Sequence, residues 1–125
     1  MIKEDYCSFE IAKLLKGKGF NWDCITYYMD SKPNNVQYSM LFENNTTWEE
    51  RCCSAPTHQM TMAWLREVHN INIDIVPIWN RNRWEYQIFI VTPATSQRPY
   101  VANTLYLDYE EAVEEALKYS LENLI

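Results

Sequence analysis

The amino-acid sequence predicts an α+β fold: an antiparallel sheet built from two β-hairpins and packed with three main helices, in the order α-ββ-α-ββ(β)-α. Two observations predict it. Two apolar stretches are each split by a cluster of turn-formers, "DSKPNN" and "NRNR", the pattern of hairpins. Three other stretches carry apolar residues at helical spacing behind a capping residue. Hairpins with one polar face, packed under helices, make a layered α+β arrangement around antiparallel strands. A length of 125 residues is that of one domain, 1–125.

In chain order, Asp5 or Ser8 caps a first helix whose stripe is Cys7, Ile11, Leu14 and Leu15, with Lys13 and Lys16 outside it. Gly17 and Gly19, the only glycines, end it. Residues 24–29 and 36–42 form the first hairpin, and alternation of Val36, Tyr38, Met40 and Phe42 with Gln37 and Ser39 predicts a half-buried second strand. Thr47 and Glu50 match a capping box, which predicts one or two helical turns before Cys52. Thr57 caps a second helix over 58–69, with Met60, Trp64, Leu65 and Val68 facing inward. Residues 71–79 and 84–92 form the second hairpin, and Pro77 marks its first strand as an edge or as bulged. "PATSQRP" (93–99) reads as loop, and "YVANTLYL" supplies one further short strand. Asp108 with Glu111 opens the last helix, whose apolar face is Tyr109, Val113, Ala116, Leu117, Leu121 and Leu124. Ala12, Leu14 and Phe20-Asn21 recur as Ala63, Leu65 and Ile71-Asn72 at an offset of 51, a thin signal of tandem αββ duplication.

The formal net charge is −6, but residues 108–125 hold six acids against Lys118, while residues 1–107 are nearly neutral with 10 basic and 11 acidic side chains. That balance disfavours sequence-independent nucleic-acid binding. No apolar run is long enough to cross a bilayer, and the charged start "MIKEDYCSFE" does not read as a signal peptide, so the expected location is cytoplasmic and without a membrane.

"YCSFEIAKLLKGKGF", "THQMTMAWLREVHNINI" and "YEEAVEEALKYSLENLI" resemble segments of a group of small proteins from gut Bacteroides-type bacteria and their phages or mobile elements. The resemblance covers the three helices and the strand after the second; the hairpins and loops are less similar. It implies a phage-like cellular setting and transfers no activity and no site residue.

The side chains able to carry chemistry are few. The cysteines (Cys7, Cys24, Cys52, Cys53) and histidines (His58, His69) show no C-x-x-C or H-x-x-x-H pair, so no metal or other cofactor is expected. His58 and His69 share a helix, but roughly 16 Å of rise separates them. Cys52 and Cys53 are the candidate reactive thiols. They lie just upstream of a helix N-terminus and near His58, which lowers a thiol pKa, with one thiol expected buried and one exposed. A nucleophile also needs a base and an oxyanion hole, and no glycine lies within thirty residues to shape one.

The candidate binding residues are Trp79, Arg81, Arg83 and Trp84 of "WNRNRW". With 80–83 as the loop, Trp79 and Trp84 oppose each other across the hairpin as a stabilising clasp, and Asn80 and Asn82 suit a turn that needs positive φ. That leaves the arginines unexplained. Trp and Arg together are favoured anchors at protein interfaces. The function expected is therefore a non-enzymatic protein-interaction or regulatory module whose partner is another protein or a second copy. The alternative is a nucleic-acid-associated protein using the 79–84 tip, and a thiol-dependent enzyme at Cys52 and Cys53 ranks third.

Overall fold

The computed structural model describes residues 5–91, 99–102 and 104–125. Along the chain run α1 (Phe9–Gly17), β1 (Cys24–Met29), β2 (Lys32–Glu43), β3 (Cys52–Ser54), α2 (His58–His69), β4 (Ile71–Ile78), β5 (Arg83–Ile90), β6 (Tyr100–Val101) and α3 (Tyr109–Asn123). The α+β class and the order of the three helices and two hairpins are those read from the sequence, and β3 is a strand the sequence reading did not include. The two hairpins do not share one sheet: each belongs to its own three-stranded antiparallel sheet, ordered β2-β1-β3 and β4-β5-β6. The chain divides into two compact units, Met1–Met60 and Thr61–Ile125. Among the described residues no helix is long and apolar enough to cross a membrane.

In the first unit the Ser8 hydroxyl accepts a hydrogen bond from the Ile11 amide (3.3 Å) and starts α1. The helix ends at Gly17, and Gly19 at φ 87° turns the chain so that Phe20 is fully buried. Cys7, Ile11, Ala12 and Leu15 complete the buried stripe, while Leu14 stays partly exposed, and α1 packs against β3. The Tyr28 hydroxyl donates to the Cys7 carbonyl (2.7 Å) and ties the N-terminal segment to the central strand. No helix forms around Thr47. The Thr47 side chain instead accepts from the Asn44 amide (3.0 Å) in a turn that leads into β3. Asn and Thr side chains here satisfy backbone groups locally, the competition that makes such residues poor helix interiors.

In the second unit α3 packs against β4 and β5. Its buried side is Ala112, Val113, Ala116, Leu117, Ser120 and Leu121. Asp108 holds the extended N-cap conformation but makes no side-chain cap bond, so its contribution to α3 is that of a negative charge at the helix start. α2 begins within the residues of the first unit, where Thr57 caps it with a hydroxyl that accepts from the Met60 amide (3.1 Å). Trp64 and Leu65 are buried, but Val68, expected on the inner face, is half exposed. Pro77 sits on an edge strand in an unbroken register, opposite Trp84. The Trp84 amide and carbonyl both pair with Tyr106 instead (2.8 Å each), so nothing in β5 needs the donor that proline lacks. Of the loop read at 93–99, residues 93–98 lie outside the described residues.

Ile88, on the central strand β5, is fully buried. Ile88→Ala should therefore lower unfolding free energy by about 2 to 5 kcal/mol in a urea titration; a change under about 0.5 kcal/mol is the surface-residue result and would contradict this placement.

Candidate functional site

The hairpin tip differs in register from the clasp expected of it. Ile78 pairs with Arg83 and Pro77 with Trp84, so the loop is 79–82 and Trp79 lies within it. Asn80 (φ 72°) and Asn82 (φ 50°) take the left-handed conformation that their residue type tolerates. Asn82 returns the chain to the strand at Arg83 rather than at Trp84. The two tryptophans are consequently separated in role. Trp84 is partly buried, edge-on to Tyr109 (ring centroids 5.3 Å apart, interplanar angle 86°). Trp79 is 88% exposed and has no ring partner among the described residues.

The arginines separate in the same way. The Arg83 guanidinium donates to the carbonyls of Arg81 (3.3 Å) and Asn82 (3.1 Å), closing the turn from outside. The Arg81 amide bonds the Ile78 carbonyl (3.3 Å), and its guanidinium has no partner among the described residues. Of the four tip residues named from sequence, Trp84 and Arg83 hold the hairpin together, while Trp79 and Arg81 face solvent.

A second surface was missed by sequence reasoning. β2 pairs with β1 at Tyr38 and Gln37, but between Cys24↔Glu43 and Thr26↔Tyr38 one residue of β1 is spanned by four of β2, 39–42. The Ser39 hydroxyl accepts from the Leu41 amide (3.2 Å) and braces this bulge. A bulge breaks the strict alternation of a strand, so neighbouring side chains no longer point to opposite faces. Met40 is 99% exposed, Leu41 and Phe42 are 72% exposed, and Tyr38 is 67% exposed. The half-buried strand expected at 36–42 is thus an apolar projection in solvent. Its signal was present as a run of three apolar residues, 40–42, that alternation alone does not explain.

The cysteine pair sits on β3, and both thiols are buried rather than one. Burial above all pushes the Cys53 thiol up to about 11, Asp30 adding and Lys16 opposing. Cys52 is raised by burial first and then by Glu49. The neutral thiol is favoured at both positions, the reverse of the activation expected from the nearby helix N-terminus, because desolvation dominates. Lys16, at the end of α1, donates to the carbonyls of Glu50 (2.9 Å) and Cys52 (2.8 Å) and closes one wall of a cavity of about 470 Å³ that the two cysteines line. His58 is buried on α2 and its amide bonds the Asp5 carbonyl (2.8 Å). Among the described residues no group of three or more His, Cys, Asp or Glu side chains is placed to hold a metal ion.

No protein-family model, no curated protein and no solved structure matches this chain.

Two outcomes follow from the geometry. Cys24, like Cys53, is pushed up to about 11 by burial, against an ordinary 9.0. Thiols that keep their protons when folded support the native state fully below pH 9.0, and that support is lost as pH rises through about 11. Thermal unfolding followed by circular dichroism should show melting temperature falling across that window, with Cys53→Ala flattening part of the fall. A profile that instead falls below neutral pH would contradict the assignment to thiols. At the tip, Arg83→Ala should destabilise by about 0.5 to 1.5 kcal/mol, the worth of its carbonyl bonds, while Arg81→Ala leaves stability unchanged in the same denaturant titration.

Proposed function

We propose that this chain is a protein-interaction module that engages another protein, or a second copy of itself, through the apolar bulge of β2. The observation that supports this reading is the exposure of the run Met40, Leu41 and Phe42, with Tyr38 exposed just before it across Ser39. Scattered exposed apolar residues are ordinary, but contiguous ones mark surfaces that another molecule covers. The bulge also explains why the edge can stay exposed. It interrupts the flat row of backbone donors and acceptors along which strands aggregate indiscriminately, leaving side chains to decide what binds.

Trp79 and Arg81 make a smaller second surface of the same kind, since both residue types anchor protein interfaces. What weighs against the nucleic-acid alternative is the commitment of the Arg83 guanidinium to two backbone carbonyls. One exposed arginine is a poor match to the several phosphate contacts such binding uses. A regulatory role in a phage or mobile element rests on the resemblance of the three helical segments alone.

The test is affinity capture from lysate together with sedimentation of the purified protein. The parent is compared with a Met40→Ser/Phe42→Ser variant and with a Trp79→Ala/Arg81→Ala variant. The β2 variant should remain folded and lose either a captured partner or self-association, whichever the parent shows; the tip variant should lose less. Capture abolished by nuclease would move the function to nucleic acid, and a β2 variant that retains every association of the parent would refute the reading.

A further inference from the structure

A cavity of about 330 Å³ in the first unit lies between β1, β2 and the turn that precedes β3. Its volume falls within the roughly 300 to 1,000 Å³ of small-ligand sites. Tyr27 and Trp48 line it as a pair, with ring centroids 4.6 Å apart and an interplanar angle of 33°. The indole is held in place, because its Nε1 donates to the Ser54 hydroxyl at 2.7 Å. Met29 adds apolar surface, and Glu43 and Glu49 add two acidic residues to the lining. Among the described residues, no lysine, arginine or histidine lines the cavity.

We infer that this cavity is a binding site for an alkylammonium group. Aromatic faces attract a cation through the ring quadrupole, and carboxylates supply its counter-charge. Neither feature alone selects this chemistry. An aromatic wall would take any flat or apolar ligand, and carboxylates alone would equally serve water or an exposed ion pair. Together they favour a ligand with both apolar surface and positive charge, and they repel carboxylates and phosphates. The Ser39 hydroxyl donates to Glu43 (3.5 Å), fixing one carboxylate without neutralising it.

The floor of the cavity reports the same field. Cys52 lines it, and its thiol is held neutral by burial first and then by the neighbouring charges of Glu49, Asp30 and Glu43, with Lys16 the one opposing charge. Lys16 is bonded to two main-chain carbonyls and lines the adjoining cavity rather than this one. Among the described residues that line this cavity, Glu43 and Glu49 are therefore the charged side chains, and no cation stands beside them in the lining.

The ammonium can arrive on a free amine or on the lysine side chain of a partner protein. The proposal does not depend on β2 acting as an interaction surface, and its test uses small probes only. Calorimetric titration of the intact chain with choline and with Nα-acetyl-lysine amide should show saturable binding, while the uncharged tert-butyl isostere of choline and Nα-acetyl-norleucine amide should not bind. Tighter binding of choline identifies a free quaternary amine as the source; tighter binding of the lysine amide identifies a protein side chain. Glu43→Gln and Glu49→Gln preserve shape, and each should weaken the better probe about two- to fivefold, with the double variant about tenfold weaker. Trp48→Leu should abolish binding while circular dichroism confirms the fold; if that variant unfolds, the double carboxamide variant decides alone. The inference is overturned if neither cation binds, if the uncharged isosteres bind equally well, or if the double variant binds like the parent.

Discussion

Both units depend on one backbone constraint: a helix must give way to a sheet through a single left-handed residue. Gly19 (φ 87°) follows α1 and Asn70 (φ 58°) follows α2, and in each case the next residue, Phe20 or Ile71, is driven into the core. Only Gly and, less readily, Asn accept that conformation without steric conflict. The residue at the turn therefore determines where the apolar anchor lands, and the anchor determines where the following strand begins. The Gly19 and Asn70 positions are separated by the same offset of 51 as the sparse sequence matches around them.

Past that shared turn the units diverge. From Ile71 the chain enters β4 at once, and β4 becomes an edge with β5 at the centre. From Phe20 three residues intervene before β1, which becomes the central strand with β2 outside it. The third strand of each sheet thus adds to the first strand of one hairpin and to the second strand of the other. A repeated helix-hairpin plan is present in both units, but strand order is not repeated. In the second unit the outer side of β5 is occupied by Tyr106 and β6, and Tyr86 stacks on Tyr106 (6.2 Å, 18°). In the first unit the outer side of β2 has no further strand among the described residues.

Much of this was legible in the sequence. Helical periodicity located all three helices, and turn-formers located both hairpins, because each signal is local. What the sequence did not give were properties set by distant neighbours. The hairpin loop shifted by one residue because Asn82 adopts positive φ at the loop's last position, which an Asn-x-Asn pattern does not distinguish from its alternatives. The turn at Thr47 looked like a helix start because Thr47 and Glu50 match a capping box. The Thr47 hydroxyl instead accepts from the Asn44 amide, and the Asn44 and Asn45 side chains accept from the Thr46 and Ser54 amides, bonds that no periodicity records. The thiols of Cys52 and Cys53 looked activated because a helix N-terminus is visible in sequence and desolvation is not.

The misreading of β2 is of a different kind. Alternation of Val36, Tyr38, Met40 and Phe42 is the mark of a strand with one face meant to leave water, and that mark says nothing about which chain covers the face. The bulge at 39–42 turns three successive apolar side chains outward, and the Ser39 hydroxyl braces it there. Burying these side chains is favourable at roughly 25 cal/mol per Å² of apolar area, and within the described residues that burial is not used. A pattern that normally reports a protein's own core here reports an exposed apolar surface. The same strand ends at Glu43, on the wall of the aromatic cavity. One irregular strand therefore shapes both an exposed apolar projection and one wall of a cavity lined by aromatic and acidic side chains.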